Sequence, residues 1–111
     1  MQNHKAILKR KLQDLFPDEV CRRKAADILE RYGPGPYDKE PDRVRLAILK
    51  LSGSDLEKLQ RNTNRARQDY RDVLAWAEYP RQSRHWSVPA GDEKSRMVKA
   101  DRQEYEDWLK S

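Results

Sequence analysis

The chain has 111 residues, of which 36% are hydrophobic and 39% are charged. Typical globular proteins have about 45–50% and about 25%, so we expect one small domain with a thin core. Apolar runs such as 46–49 are much shorter than the roughly 20 residues that span a bilayer, and the polar N-terminus does not resemble a secretory segment. The single cysteine excludes an internal disulfide. Together these features predict a cytoplasmic protein.

The net charge of +5 comes from 24 basic and 19 acidic side chains. A basic excess often indicates a nucleic acid or another anionic surface as partner. Here the excess is spread evenly, because residues 1–40, 41–80 and 81–111 carry net charges of +2, +2 and +1. Both signs are interleaved in each segment, which is typical of a solvated helical surface.

The first part of the chain predicts two helices. The first covers 3–15. The second begins at Pro17, because proline is favoured in a first turn, and ends at Gly33. The run Pro34-Gly35-Pro36 prevents the helix from continuing and leaves a stiff loop up to residue 40.

A third helix is predicted over 41–51, and it is apolar on two sides. Its main face has a helical spacing, and Leu46 and Leu49 lie roughly opposite that face. Because a helix that is apolar all round is usually buried, we expect this helix to be central.

The fourth predicted helix, 54–77, carries the strongest pattern in the chain. Ser54 and Glu57 have the spacing of a capping box, and Gly53 suits the end of the preceding helix. Apolar or small residues then recur at alternating spacings of three and four, which is a heptad pattern: Leu56, Leu59, Thr63, Ala66, Tyr70, Val73 and Ala77. We therefore expect one helix of roughly 36 Å that pairs with the third helix in an antiparallel hairpin.

Residues 80–92 contain two prolines and a glycine without periodicity, which predicts a loop, and a fifth helix is predicted over 93–109. Asp101 interrupts the apolar side of that helix, so we expect it to pair with an arginine of another helix. The fold prediction is all-α, a bundle of four to five helices with a long central hairpin of helices 3 and 4. Residues 1–80 would form the bundle, and 81–111 a loop and a terminal helix that pack on the same domain or on a partner.

The sequence contains no pattern that predicts catalysis, a metal site or a cofactor. His4 and His85 belong to no metal-ligand spacing, and no glycine-rich phosphate loop occurs. Cys21 lies on the apolar stripe of helix 2, where a small core residue is the better interpretation than a nucleophile. We expect a protein that is not an enzyme.

Two kinds of partner remain open. The first is a second copy of the chain, so that we expect a homodimer, or another protein, bound through the exposed side of helix 3 or the fourth helix; the candidate contacts are Leu46, Leu49, Tyr70, Trp76 and Trp86. The alternative is a small nucleic-acid-binding regulator. Its candidate phosphate contacts are Lys58, Arg61, Arg65, Arg81 and Arg84.

The segment D-Y-R-D-V-L-A-W-A-E-Y-P, 69–80, follows L-A-I-L-K-L-S-G-S-D-L-E-K-L, 46–59. In these segments the chain resembles a group of small bacterial helical proteins that carry no assigned function. The resemblance covers roughly residues 41–80. It implies a bacterial cytoplasmic protein, and it assigns no activity and no functional residue.

Overall fold

The computed structural model describes residues 3–35, 39–85 and 87–111, and these residues form seven helices without a strand. The helices are α1 (His4–Leu15), α2 (Glu19–Leu29), α3 (Pro41–Ser52), α4 (Leu56–Gln68), α5 (Tyr70–Glu78), α6 (Pro80–Arg84) and α7 (Asp92–Lys110). The predicted all-α class is confirmed. The helix count is higher than predicted, because the fourth predicted helix is divided and an additional short helix follows it.

The core is centred on α3, which packs against α1, α4 and α5. Both apolar sides of α3 are covered within the chain, as its central position requires. Its buried residues are Val44, Leu46, Ala47, Ile48, Leu49 and Ser52. The prediction that α3 is the central helix is therefore confirmed.

The division between α4 and α5 lies at Asp69, whose backbone is extended (φ −155°, ψ 97°). Its carboxylate accepts a hydrogen bond of 3.1 Å from the backbone N–H of Arg71, so this aspartate caps a new helix. The prediction of one continuous helix over 54–77 is therefore wrong at this position. The heptad positions still face inward, since Leu59, Thr63, Ala66, Val73 and Ala77 are all buried.

The start of α4 also differs from the prediction. Asp55 caps the helix by accepting a hydrogen bond of 3.1 Å from the backbone N–H of Lys58, in place of the predicted Ser54 and Glu57 pair. Aspartate caps as well as serine, and the shift by one residue leaves room for the turn at Gly53. That glycine has φ of +60°, a value that favours glycine over other residues.

The predicted loop at 80–92 contains the short helix α6. Pro80 occupies its first turn, where a missing N–H is tolerated. Asp101 of α7 accepts hydrogen bonds from the next two backbone N–H groups, those of Arg81 and Gln82, at 3.1 and 3.2 Å. A carboxylate distant in sequence thus caps α6, which a local reading of the two prolines could not predict.

The last helix, α7, packs on α6 and α5, and its end is fastened to α1. The buried ammonium of Lys11 donates hydrogen bonds to the carbonyl and the hydroxyl of Ser111, at 3.0 and 2.6 Å. The same ammonium lies 4.5 Å from the centre of the Trp108 ring. These contacts hold the C-terminal end of α7 against α1. No helix in the described ranges is long and apolar enough to cross a membrane.

Candidate interaction surface

Leu46 and Leu49 were predicted as exposed anchors on α3, and the structure corrects this. Their exposed fractions are 1% and 0%. They fill the interior because α3 is enclosed by α1, α4 and α5. Neither leucine is accessible to a partner, and the expected free side of α3 does not exist in this chain.

Trp76 is the predicted anchor that does reach the surface. It lies on α5 with 43% of its area exposed. Two clefts meet at its ring, and Leu51 from the end of α3 lines both of them. The first cleft has a volume of about 300 Å³ and the second about 280 Å³. A large indole with an aliphatic neighbour is the type of group that anchors protein interfaces.

Cations flank both clefts. Lys58, Arg61 and Asn62 of α4 line the first cleft. Pro80, Ser83 and Arg84, which belong to α6, line the second. No carboxylate lines either cleft. We name the whole area the Trp76 surface; it consists of Leu51, Lys58, Arg61, Asn62, Trp76, Pro80, Ser83 and Arg84.

Three cations of this surface form no ion pair with the described residues: Lys58, Arg61 and Arg84. Arg65 behaves differently. It pairs with Asp72, and its guanidinium carbon lies 5.7 Å from the centre of the Trp76 ring. Such a cation–π contact orients the indole. Arg65 therefore holds Trp76 in place, and the three unpaired cations remain open to a ligand.

Arg81, the remaining predicted phosphate contact, is engaged inside the chain. Its guanidinium donates a hydrogen bond of 3.0 Å to Asp101, which is 0% exposed, and lies 3.7 Å from Glu104. Arg81 is a structural residue of the α6–α7 contact and does not belong to the Trp76 surface. The predicted pairing of Asp101 with an arginine of another helix is confirmed.

The electrostatics of Asp101 follow from its four donors. Burial by itself would raise the pKa of this carboxyl group, but hydrogen bonds from Gln82 and Arg81 lower it below the ordinary value. The side-chain amide of Gln82 provides the fourth bond, at 3.1 Å. Asp101 is thus an ionised group whose charge is stabilised by the start of α6.

Tyr70 lies away from Trp76. It is half-buried and lines a separate cavity with Tyr32, Arg67 and Arg71. Trp86, the last predicted anchor, lies outside the described residues. The two classes of candidates from the sequence therefore converge only in part, on Trp76 together with Lys58, Arg61 and Arg84.

Sequence reasoning missed the other members of the surface. Leu51 belongs to the predicted third helix but was not singled out as a contact. Its position in the last turn of α3, where the surface begins, was the available signal. Pro80 and Ser83 were placed in a loop. Their position became clear only with α6, whose cap comes from α7.

Another cavity, of about 370 Å³, lies at the C-terminal end of α5, where Arg43, Glu78, Tyr79 and Tyr105 are among its lining residues. Arg43 forms two hydrogen bonds to the buried Glu78, at 2.9 and 2.6 Å. Burial raises the pKa of the nearby Tyr105, and the Glu78 carboxylate acts in the same direction. The Arg43–Glu78 pair is satisfied within the chain, and the lining also contains His4, Arg102 and Glu106. Charged side chains of both signs therefore surround this cavity, which lacks the one-sided charge of the Trp76 surface.

The side chains that could act in catalysis or bind a metal ion are not clustered in the described residues. Within 3–35, 39–85 and 87–111, no group of three or more His, Cys, Asp or Glu side chains could hold a metal ion. Cys21 is half-buried on α2 beside the core. His85 follows α6 and is exposed.

The geometry of the Trp76 surface is therefore the main guide to function. Comparisons of the chain with protein-family models, with curated proteins and with solved structures find no match. The resemblance to small bacterial proteins stays a prediction.

Proposed function

We propose that this chain is a non-enzymatic helical module that binds another protein through the Trp76 surface. The observation that supports this most is the 43% exposure of Trp76 between two clefts. Exposing an indole to water forgoes the stabilisation of burying it, and tryptophan is enriched among residues that dominate binding energy. The other large exposed hydrophobic side chains of the described residues, Val20 and Tyr79, do not line these clefts.

The sizes of the clefts favour a protein ligand over a cofactor. Small-molecule sites enclose about 300–1,000 Å³, and these two open clefts are at the lower limit. Each is suited to one inserted side chain. The pair of clefts around one ring is typical of a surface that receives a polypeptide segment.

The proposed partner is a different protein and not a second copy of the chain. In a dimer with two-fold symmetry the same patch faces itself, so the cations Lys58, Arg61 and Arg84 of one copy would face those of the other. Like charges across an interface are unfavourable. The burial of Leu46 and Leu49 also removes the face of α3 through which a second copy was predicted to bind.

The experiment is site-specific photocrosslinking. Benzoylphenylalanine replaces Trp76 in one variant and the exposed Val20 in a control variant, and each is irradiated in an extract of cells that express the protein. We expect one discrete protein adduct at position 76 that is missing at position 20. Equal labelling at both positions, or no protein adduct at position 76, would contradict the proposal.

A further inference from the structure

The charges around Trp76 define the ligand more narrowly, and this inference rests on the function proposed above. From the arrangement we propose that the bound segment is acidic, with one apolar side chain that inserts beside Trp76 and carboxylates on both sides of it.

The cations lie on two sides of the Trp76 ring. Lys58 and Arg61 line the cleft on the α4 side of Trp76, and Arg84 lines the cleft on the α6 side. A segment that crosses the indole therefore meets a cation before the ring and another after it. This order requires anionic groups on both sides of the anchoring side chain.

The floor of the two clefts is apolar. Leu51 contributes to both, and no carboxylate contributes to either. An apolar side chain of the ligand placed here contacts Leu51 and Trp76. The carboxylates of the ligand on either side of it meet no like charge in the cleft linings. Complementary charges of this type raise association rates and exclude wrong partners.

The environment of the Trp76 ring favours a polypeptide over a nucleic acid. Bases bind such sites by stacking on open aromatic faces. The Arg65 guanidinium lies over the Trp76 ring at 5.7 Å, so it already occupies an aromatic face on which a base would stack. The aliphatic floor at Leu51 favours an inserted side chain over a base.

The test is a titration with synthetic probes. One dye-labelled peptide carries a single phenylalanine between glutamates, a second has glutamine in place of each glutamate, and a third probe is single-stranded oligo-dT. We expect the acidic peptide to bind the native chain, with Kd rising as salt is added. Trp76→Ala and Arg61→Glu should each weaken this binding by about tenfold or more.

The matched control is Arg96→Glu on α7, an exposed arginine without an ion pair among the described residues. It makes the same change in net charge as Arg61→Glu, so a change in Kd below about twofold is expected. An equal loss in both variants would show attraction by net charge alone and would overturn the inference.

Other outcomes separate this inference from the proposed function. If the glutamine peptide binds as tightly as the acidic one and depends on Trp76, the acidic preference is wrong and the protein-binding function stands. If neither peptide binds while position 76 crosslinks to a protein, the inference of an acidic segment is wrong and the protein-binding function stands. If only oligo-dT binds and its binding depends on Trp76, the partner is a nucleic acid and not an acidic polypeptide. If no probe binds and position 76 forms no protein crosslink, both proposals are overturned.

Discussion

At the scale of single residues, Asp101 shows how one buried charge organises a region. The sequence placed a carboxylate on an apolar helix side, and such a group must find partners. That reasoning predicted an ion pair with an arginine. It could not predict that two backbone N–H groups and the Gln82 amide would also donate to it. These donors lie in the first turn of α6, a helix that the sequence did not predict.

We expect Asp101→Asn to lower the free energy of unfolding by about 2–3 kcal/mol, as for lost hydrogen bonds to a charged group. The asparagine amide would place a donor against the donors of Arg81 and Gln82. Urea unfolding followed by circular dichroism measures the change. Asp107→Asn, an exposed carboxylate on the same helix, should change stability by less than about 0.5 kcal/mol; similar losses in both variants would contradict the assignment.

The pH dependence of this contribution has a definite sign. The pKa of Asp101 is lower in the folded chain than its ordinary value, which is about 3.9 in the unfolded chain. Its stabilisation is therefore complete above that value and is lost as the pH falls through the lower folded pKa. The stability difference between the native chain and Asp101→Asn should shrink below about pH 4, whereas a constant difference between pH 7 and pH 3 would contradict this account.

At the scale of elements, the heptad pattern predicted which side of the segment 54–77 is buried. It did not predict that this segment is divided into two helices, α4 and α5. The spacing of three and four residues is preserved across Asp69, so periodicity alone cannot detect the interruption. The signal was present in the residue type, since aspartate favours a cap over a helix interior. The same applies at Asp55, where the capping residue was displaced by one from Ser54.

We expect Asp69→Ala to destabilise the chain by about 1 kcal/mol, because the N–H of Arg71 loses its acceptor. Asp69→Asn retains a capping oxygen and should remain within a few tenths of a kcal/mol of the native chain. Thermal unfolding of the two variants provides the comparison. If the alanine variant is as stable as the asparagine variant, Asp69 does not act as a cap.

At the scale of the whole molecule, the candidate surface is assembled from α3, α4, α5 and α6. The sequence identified Trp76 and the cations separately, as members of two competing hypotheses. It could not place them together, because their meeting depends on the turn at Gly53 and on α6 being fixed by α7. The helical hairpin of α3 and α4 could be predicted, whereas the surface beside it could not.

The closed core leads to a prediction about assembly. Since Leu46 and Leu49 are buried within one chain, we expect a monomer of 13.2 kDa. Light scattering after size-exclusion chromatography at high protein concentration measures this directly. A stable species of twice that mass would contradict the expected monomer.

The most direct test of the central claim is a nuclear magnetic resonance titration of the ¹⁵N-labelled chain with the acidic peptide. We expect the shifted signals to cluster on Leu51, Lys58, Arg61, Arg84 and the indole N–H of Trp76, with the indole N–H of Trp108 unchanged. Shifts centred on the cavity lined by Arg43, Glu78 and Tyr105, or shifts scattered over the basic residues of all helices, would contradict the assignment of the Trp76 surface as the binding site.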